Sequence, residues 1–170
     1  PPPRPLFRRK RVLIPLALLF AIAAIFFALR TPDTDRDEMI AKYGGPNAAF
    51  AAGPAGQRIH YRDQGLSDGP VVILLHGANS SLQTWEPLAK RLGTSYRIVT
   101  LDLPGHGLTG ATPDKEYDAD GMIAAVDVVA AKLGLDHFTL GGNSMGGWVA
   151  WRYALAEPGR VDALLLLDAA

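Results

Sequence analysis

The sequence predicts an α/β domain, a mostly parallel sheet with helices on both faces, preceded by one apolar helix of membrane-spanning character. Three observations predict it. Apolar runs of strand length recur at 71–75, 96–101, 138–140 and 163–167, and they are continuous rather than alternating, which implies burial on both faces. Stretches of helical length at 82–92 and 117–133 lie between them, so strand and helix alternate and right-handed crossovers follow. Residues 12–29 form a separate apolar run without a charged side chain.

That run accounts for the first part of the chain. As a helix it reaches about 27 Å, just short of a typical hydrocarbon core of about 30 Å, and flanking arginines can snorkel to complete the span. Its one helix-disfavouring residue, Pro15, falls in its first turn. Arg4, Arg8, Arg9, Lys10 and Arg11 precede it, and the positive-inside bias puts this basic end, residues 1–11, in the cytoplasm. Everything after Arg30 is then extracytoplasmic, and 12–29 is a single-pass anchor in the inner (cytoplasmic) membrane. A cleaved signal peptide fits less well, because no small-x-small site follows cleanly, and a core helix fits least, because the run is apolar on every face.

Residues 30–46 read as a linker. Thr31 to Glu38 is polar and charged, a short helix can run through Met39, Ile40, Ala41 and Tyr43, and Gly44-Gly45-Pro46 ends it. Stretches 47–52 and 58–62 read as two short strands joined by Gly53-Pro54-Ala55-Gly56, and 63–70 as a loop. From 71 the continuous strands begin. In the 117–133 helix, Met122, Val126, Val129 and Leu133 share one face. The domain so defined is 47–170.

Composition excludes several function classes. At 170 residues, 48% hydrophobic and with formal net charge +0, the chain has room for one modest domain. The only dense basic cluster is the N-terminal one, so no nucleic-acid partner is expected. The sequence has no cysteine, which excludes disulfides, thiolate zinc sites and a cysteine nucleophile. Because it starts at Pro1 and ends just after the run through Leu167, it is read as a piece of a longer protein.

The chemistry gathers at strand ends, where parallel α/β sheets form their sites. His76-Gly77-Ala78-Asn79 follows the 71–75 strand, Asp102-Leu103-Pro104-Gly105-His106-Gly107 follows the next, and Gly141-Gly142-Asn143-Ser144-Met145-Gly146-Gly147 follows the third. In a strand-turn-helix context, G-x-S-x-G puts the serine on a strained bend. Small neighbours at Gly142 and Gly146 let strand and helix approach closely, and the N–H of Met145 opens the helix. Taken alone, the same residues are also compatible with a tight turn and nothing more.

Together, H-G-A, D-L-P-G-H-G and G-N-S-M-G-G, in this order and spacing, resemble the α/β-hydrolase superfamily from about Asn47 onward. The resemblance implies that Ser144 is a nucleophile and that the backbone N–H groups of Met145 and Ala78 form an oxyanion hole. In the family's chain order the base follows the serine. His76 is therefore expected to brace the oxyanion loop and His106 to shape the pocket floor, while His60 and His137, at strand positions, are expected to be structural. The resemblance further implies that His76, Gly77, Asn79, Asn143 and His106 line the substrate side. Asp168 ends the strand beside the nucleophile's strand, where some relatives place the triad carboxylate; the usual place is one strand later. Asp102 is expected to cap its turn.

Serine rather than aspartate at 144 argues against epoxide-hydrolase and haloalkane-dehalogenase relatives. Asn143 looks like the meta-cleavage product hydrolases, which break carbon–carbon bonds, and occurs in esterases too. A membrane anchor fits a small-molecule ester or lipid-like substrate, so carboxylic-ester hydrolysis ranks first and C–C hydrolysis second. A non-catalytic, membrane-tethered binding protein is the third reading. No metal or organic cofactor is implied, and oligomeric state is left open. The base, the lid and the later strands are expected beyond residue 170, so this piece alone is expected to be poorly soluble and to show no turnover.

Overall fold

The computed structural model describes residues 6–30, 34–113 and 117–170, so Arg4 of the basic cluster and Thr31, Pro32 and Asp33 of the linker lie outside the described residues. The chain divides into two compact units, Pro1–Asp35 and Arg36–Ala170.

The first unit carries helix α1, Leu6–Leu29. Within it, Val12–Leu29 has a mean hydropathy of 2.9, is not buried by the protein, and is long and apolar enough to cross a membrane. Pro15 lies inside the helix rather than in its first turn, because the basic segment is helical as well. Arginine and lysine are good helix formers, which extends the helix upstream of the apolar run.

The second unit contains α2 (Arg36–Tyr43), β1 (Ala48–Ala52), β2 (Arg58–Gly65), β3 (Val71–Leu75), α3 (Glu86–Leu92), β4 (Arg97–Leu101), α4 (Ala119–Leu133), β5 (Phe138–Asn143), α5 (Met145–Ala156) and β6 (Val161–Leu167). The strands form one six-stranded sheet in the order β1-β2-β4-β3-β5-β6. β1, β2 and β4 are joined by antiparallel pairings. β4, β3, β5 and β6 run parallel, so their carboxyl ends share one edge.

Several boundaries depart from the sequence reading. β2 continues through Asp63, Gln64 and Gly65, read as loop, because these residues pair with Val99, Ile98 and Arg97 of β4. Arg97 grips the Asp63 carboxylate with two nitrogens, at 3.0 and 2.7 Å, so the polar side chains are satisfied at the sheet's margin. The 82–92 stretch opens as a 3-10 turn, Leu82–Trp85, before α3 begins with a proline in its first turn. β5 runs on past Leu140 to Asn143, since its glycines pair with Leu74 and Leu75 of β3.

The core lies on both faces of the sheet. Ile73, Leu75, Val99, Leu101 and Leu140 pack with Met122, Val126 and Val129 of α4 and Val149 and Tyr153 of α5. Val72, Leu74 and Ile98 pack on the other face with Trp85 and Ala89. Successive β3 residues thus alternate between two apolar layers, which explains the unbroken Val-Val-Ile-Leu-Leu run. Leu133 is half-buried against the first layer. Asp118 caps α4 by accepting the N–H of Gly121 at 2.8 Å, and Gly134 ends the helix in the left-handed region at φ 64°. β6 is an edge strand, and Leu164 to Leu167 are 38–46% exposed.

Candidate active site

Ser144 stands between the last residue of β5 and the first of α5, at φ 50° and ψ −116°. A non-glycine residue in this region is strained by about 1–3 kcal/mol and persists only where its surroundings enforce it. Here they do. The N–H of Ser144 donates to the carbonyl of Leu167 at 3.0 Å, and its carbonyl accepts from Trp148 at 2.9 Å and Ala170 at 3.3 Å. Gly142 and Gly146 carry the close approach: a Cβ on Gly142 would collide with the main chain of Gly146, and one on Gly146 with the carbonyls of Leu75 and His76. The ends of β3 and β5 and the start of α5 are therefore packed backbone on backbone, leaving the serine half-buried at the bend.

The loop after β3 runs beside this bend. A Cβ on Gly77 would sit 2.9 Å from Asn143 Oδ1 and 3.5 Å from Ser144 Cβ. His76 is fully buried; its Nδ1–H donates to the carbonyl of Gly77 at 2.8 Å and its Nε2 accepts the N–H of Leu103 at 3.0 Å. These partners assign the proton to Nδ1. Burial lowers the pKa of His76, outweighing the Gly77 carbonyl and Asp102, so the ring is neutral near pH 7. The Gly77 carbonyl and the Ala78 N–H belong to one planar trans peptide and point opposite ways. Holding the carbonyl on His76 thus turns the Ala78 N–H away from His76.

The remaining residues of the sequence reading divide into those near Ser144 and those further off. Asn143 spans the bend, its Nδ2 donating to the carbonyl of Leu167 at 3.1 Å. Asp168 follows directly, exposed and at φ 45°. Ala78 and Asn79 are exposed, Asn79 at φ 54°. His106 is half-buried, with its ring 5.1 Å from that of His76 and its Nδ1 3.0 Å from the carbonyl of Pro104. His137 precedes β5 rather than lying in it, and is exposed 3.6 Å from Asp162.

Asp102 does more than cap a turn. Its carboxylate accepts from Leu108 N at 2.8 Å, from Leu82 N at 2.7 Å and from His60 Nδ1 at 2.7 Å. Burial pushes its pKa up, yet the hydrogen bonds from His60, Leu82 and Leu108 overcome that and hold it below the usual carboxylate value. Nothing local in the sequence signals this pair, because His60 and Asp102 come together only through the folding of β2 beside β4. Sequence reasoning also missed Arg36, which donates to the carbonyl of Leu108 at 3.1 Å, and Arg62, which donates to the carbonyls of Tyr43 at 2.9 Å and Gly44 at 2.8 Å and pairs with Glu86. Among the described residues, no group of three or more metal-ligating side chains is assembled.

The model of the alpha/beta hydrolase fold family matches residues 70–170, which includes all three strand-end motifs. The chain belongs to this family. N-formylmaleamate deformylase of Pseudomonas putida is 38% identical over 113 residues, covering 66% of this chain and 42% of that one. Pimeloyl-[acyl-carrier protein] methyl ester esterase of Pseudoalteromonas atlantica is 34% identical over 102 residues, covering 60% of this chain and 38% of that one. Among solved structures, a bacterial membrane phospholipase A described as a virulence factor superposes with a TM-score of 0.66 at 32% identity, over 95% of this chain and 52% of that one. The chain thus spans less than half the length of these two curated α/β-hydrolase relatives.

Proposed function

We propose that this α/β-hydrolase chain is the nucleophile-bearing part of a membrane-anchored serine hydrolase that cleaves carboxylic esters of lipid-like molecules. The observation that carries the reading is the strained Ser144, set beside the Gly77 loop by backbone contacts that only glycines at 142 and 146 permit. In this reading Ser144 Oγ attacks the ester carbonyl and a histidine downstream in the full-length protein takes its proton. The N–H groups of Met145 and Ala78 stabilise the oxyanion. The same histidine then protonates the departing alkoxide, and water releases the acid from the acyl-serine. Such oxyanion donors are worth about 2.7–4 kcal/mol each in barrier lowering.

Two further observations support an ester at a membrane. Val12–Leu29 is apolar enough to span a bilayer. The likeness to the membrane phospholipase A extends over 95% of the chain, well beyond the 70–170 segment matched by the family model. We place the anchor in the inner membrane with the α/β domain outside the cytoplasm, from the basic residues that precede it. Asn143 is the feature that favours carbon–carbon cleavage, yet its Nδ2 is committed to the Leu167 carbonyl, which fits a positioning role equally in an esterase. Asp168 is a lesser candidate for the triad acid.

The test is to assay the full-length protein side by side on p-nitrophenyl esters of graded chain length and on dienoic ring-cleavage products. Ester turnover lost in Ser144→Ala supports the reading. Turnover of the dienoic compound alone transfers the assignment to C–C hydrolysis.

A further inference from the structure

The loop after β3 is held at both of its ends, and both holds come from neighbouring residues at the end of β4. At its start, His76 accepts the N–H of Leu103 on Nε2 at 3.0 Å. At its far end, the N–H of Leu82, where the 3-10 turn before α3 begins, donates to Asp102 Oδ1 at 2.7 Å. His76, Gly77 and Leu82 are buried, whereas Ala78 and Asn79 between them are exposed. The exposed peptides thus form the crown of a short arch whose two feet stand on Asp102 and Leu103.

Asp102 is itself fixed through side chain and main chain together. It is 1% exposed, and its Oδ2 accepts from His60 Nδ1 at 2.7 Å and from Leu108 N at 2.8 Å. Its N–H donates to the carbonyl of His60 at 2.9 Å, and its own carbonyl accepts the Thr109 hydroxyl at 2.7 Å. That hydroxyl oxygen in turn accepts the N–H of His60 at 2.9 Å. A Cβ on Gly107 would collide with the carboxylate, so glycine there keeps its place free. A buried N–H needs an acceptor, and an ionised acceptor makes the stronger bond. Leu82 therefore meets a charged oxygen that cannot swing away.

We propose that Asp102 is a positioning residue for the reaction at Ser144: through the N–H of Leu82 it fixes the far end of the loop whose Ala78 N–H would serve the oxyanion. The inference deepens the reading of Ser144 as a nucleophile and rests on it. A single hold at His76 would set one end of the Gly77–Ala78 peptide and leave the rest of the loop free to pivot, and the second hold removes that freedom. Oxyanion donors work by being aimed in advance at the place where charge develops, so a pivoting loop costs rate rather than substrate affinity.

The experiment uses the full-length protein and two variants. Asp102→Ala deletes all three carboxylate contacts and leaves the main-chain ties to His60 and Thr109; Gly107→Ala keeps the carboxylate but drives it aside, and decides the matter should the first variant not fold. In either variant the Leu82 amide should exchange its hydrogen about tenfold faster or more, while the Ile73 amide of β3 keeps its rate. With active enzyme counted by titration of Ser144, kcat on a p-nitrophenyl ester should fall about tenfold at unchanged KM, and the inhibition constant of an alkylboronic acid, which mimics the tetrahedral intermediate, should rise by the same factor. Unchanged exchange at Leu82, or a lower kcat with an unchanged boronic-acid constant, overturns the proposal. Absence of ester turnover in the wild type would instead sink the esterase reading, and the Leu82 exchange would still decide whether Asp102 holds the loop.

Discussion

His76 donates Nδ1–H to the carbonyl of Gly77 at 2.8 Å while accepting the N–H of Leu103 on Nε2 at 3.0 Å. One buried ring therefore ties the loop after β3 to the loop after β4 and sets the plane of the Gly77–Ala78 peptide. If the Ala78 N–H serves the oxyanion, its aim depends on His76. His76→Phe should then lower kcat by about tenfold to a hundredfold, a fraction of what losing such a donor outright costs, with KM little changed. Steady-state kinetics on a soluble ester checks the split; a rise in KM alone would make His76 a substrate contact.

The same ring makes stability depend on pH. Its folded pKa lies below the ordinary 6.5, so between the two values the unfolded chain binds more protons than the folded one. Stability should therefore be full above about pH 6.5 and fall as pH drops below it. Asp102 adds a second loss at lower pH, since its folded pKa is depressed below 3.8 and its contribution vanishes as pH falls through the folded value. Melting temperatures between pH 3 and 8 check both, and His76→Phe should flatten the upper part of the curve only.

If Ser144 is the nucleophile, its strain sets stability against activity. At φ 50° it pays a backbone strain that glycine would not. Ser144→Gly should raise stability by about 1 kcal/mol, part of the relieved strain being offset by the freer unfolded chain, while ester turnover disappears. Denaturant unfolding beside a turnover assay measures the two effects together.

Gly146 should tolerate nothing larger. A Cβ there meets the carbonyls of Leu75 and His76, which belong to the sheet and its first loop and cannot swing aside. Gly146→Ala should destabilise the domain by about 1–3 kcal/mol or more and lower ester turnover as well, because the serine bend shifts with the clash. Gly159→Ala, with open space around it, is the control that should leave both unchanged.

How legible all this was in the sequence varied with the range of the interactions. The β3 strand was readable to the residue, because burial on both faces demands an unbroken apolar run at 71–75. The serine bend was readable because its glycines are close in sequence and their spacing reflects a local collision. β2 was read too short, since Asp63-Gln64-Gly65 looks like loop until Arg97 arrives from β4 to neutralise Asp63. The His60–Asp102 pair and the two arginines that hold α2 were not readable at all. Their partners are far apart in the chain, and a histidine or arginine in a strand, or an arginine in a linker, carries no sign of which distant carbonyl or carboxylate it will meet.

The central claim, that Ser144 is a nucleophile, is tested most directly by labelling the full-length protein with a fluorophosphonate probe and comparing wild type with Ser144→Ala. Labelling of the wild type that is lost in the variant is the result expected. Equal labelling of the two proteins would contradict it.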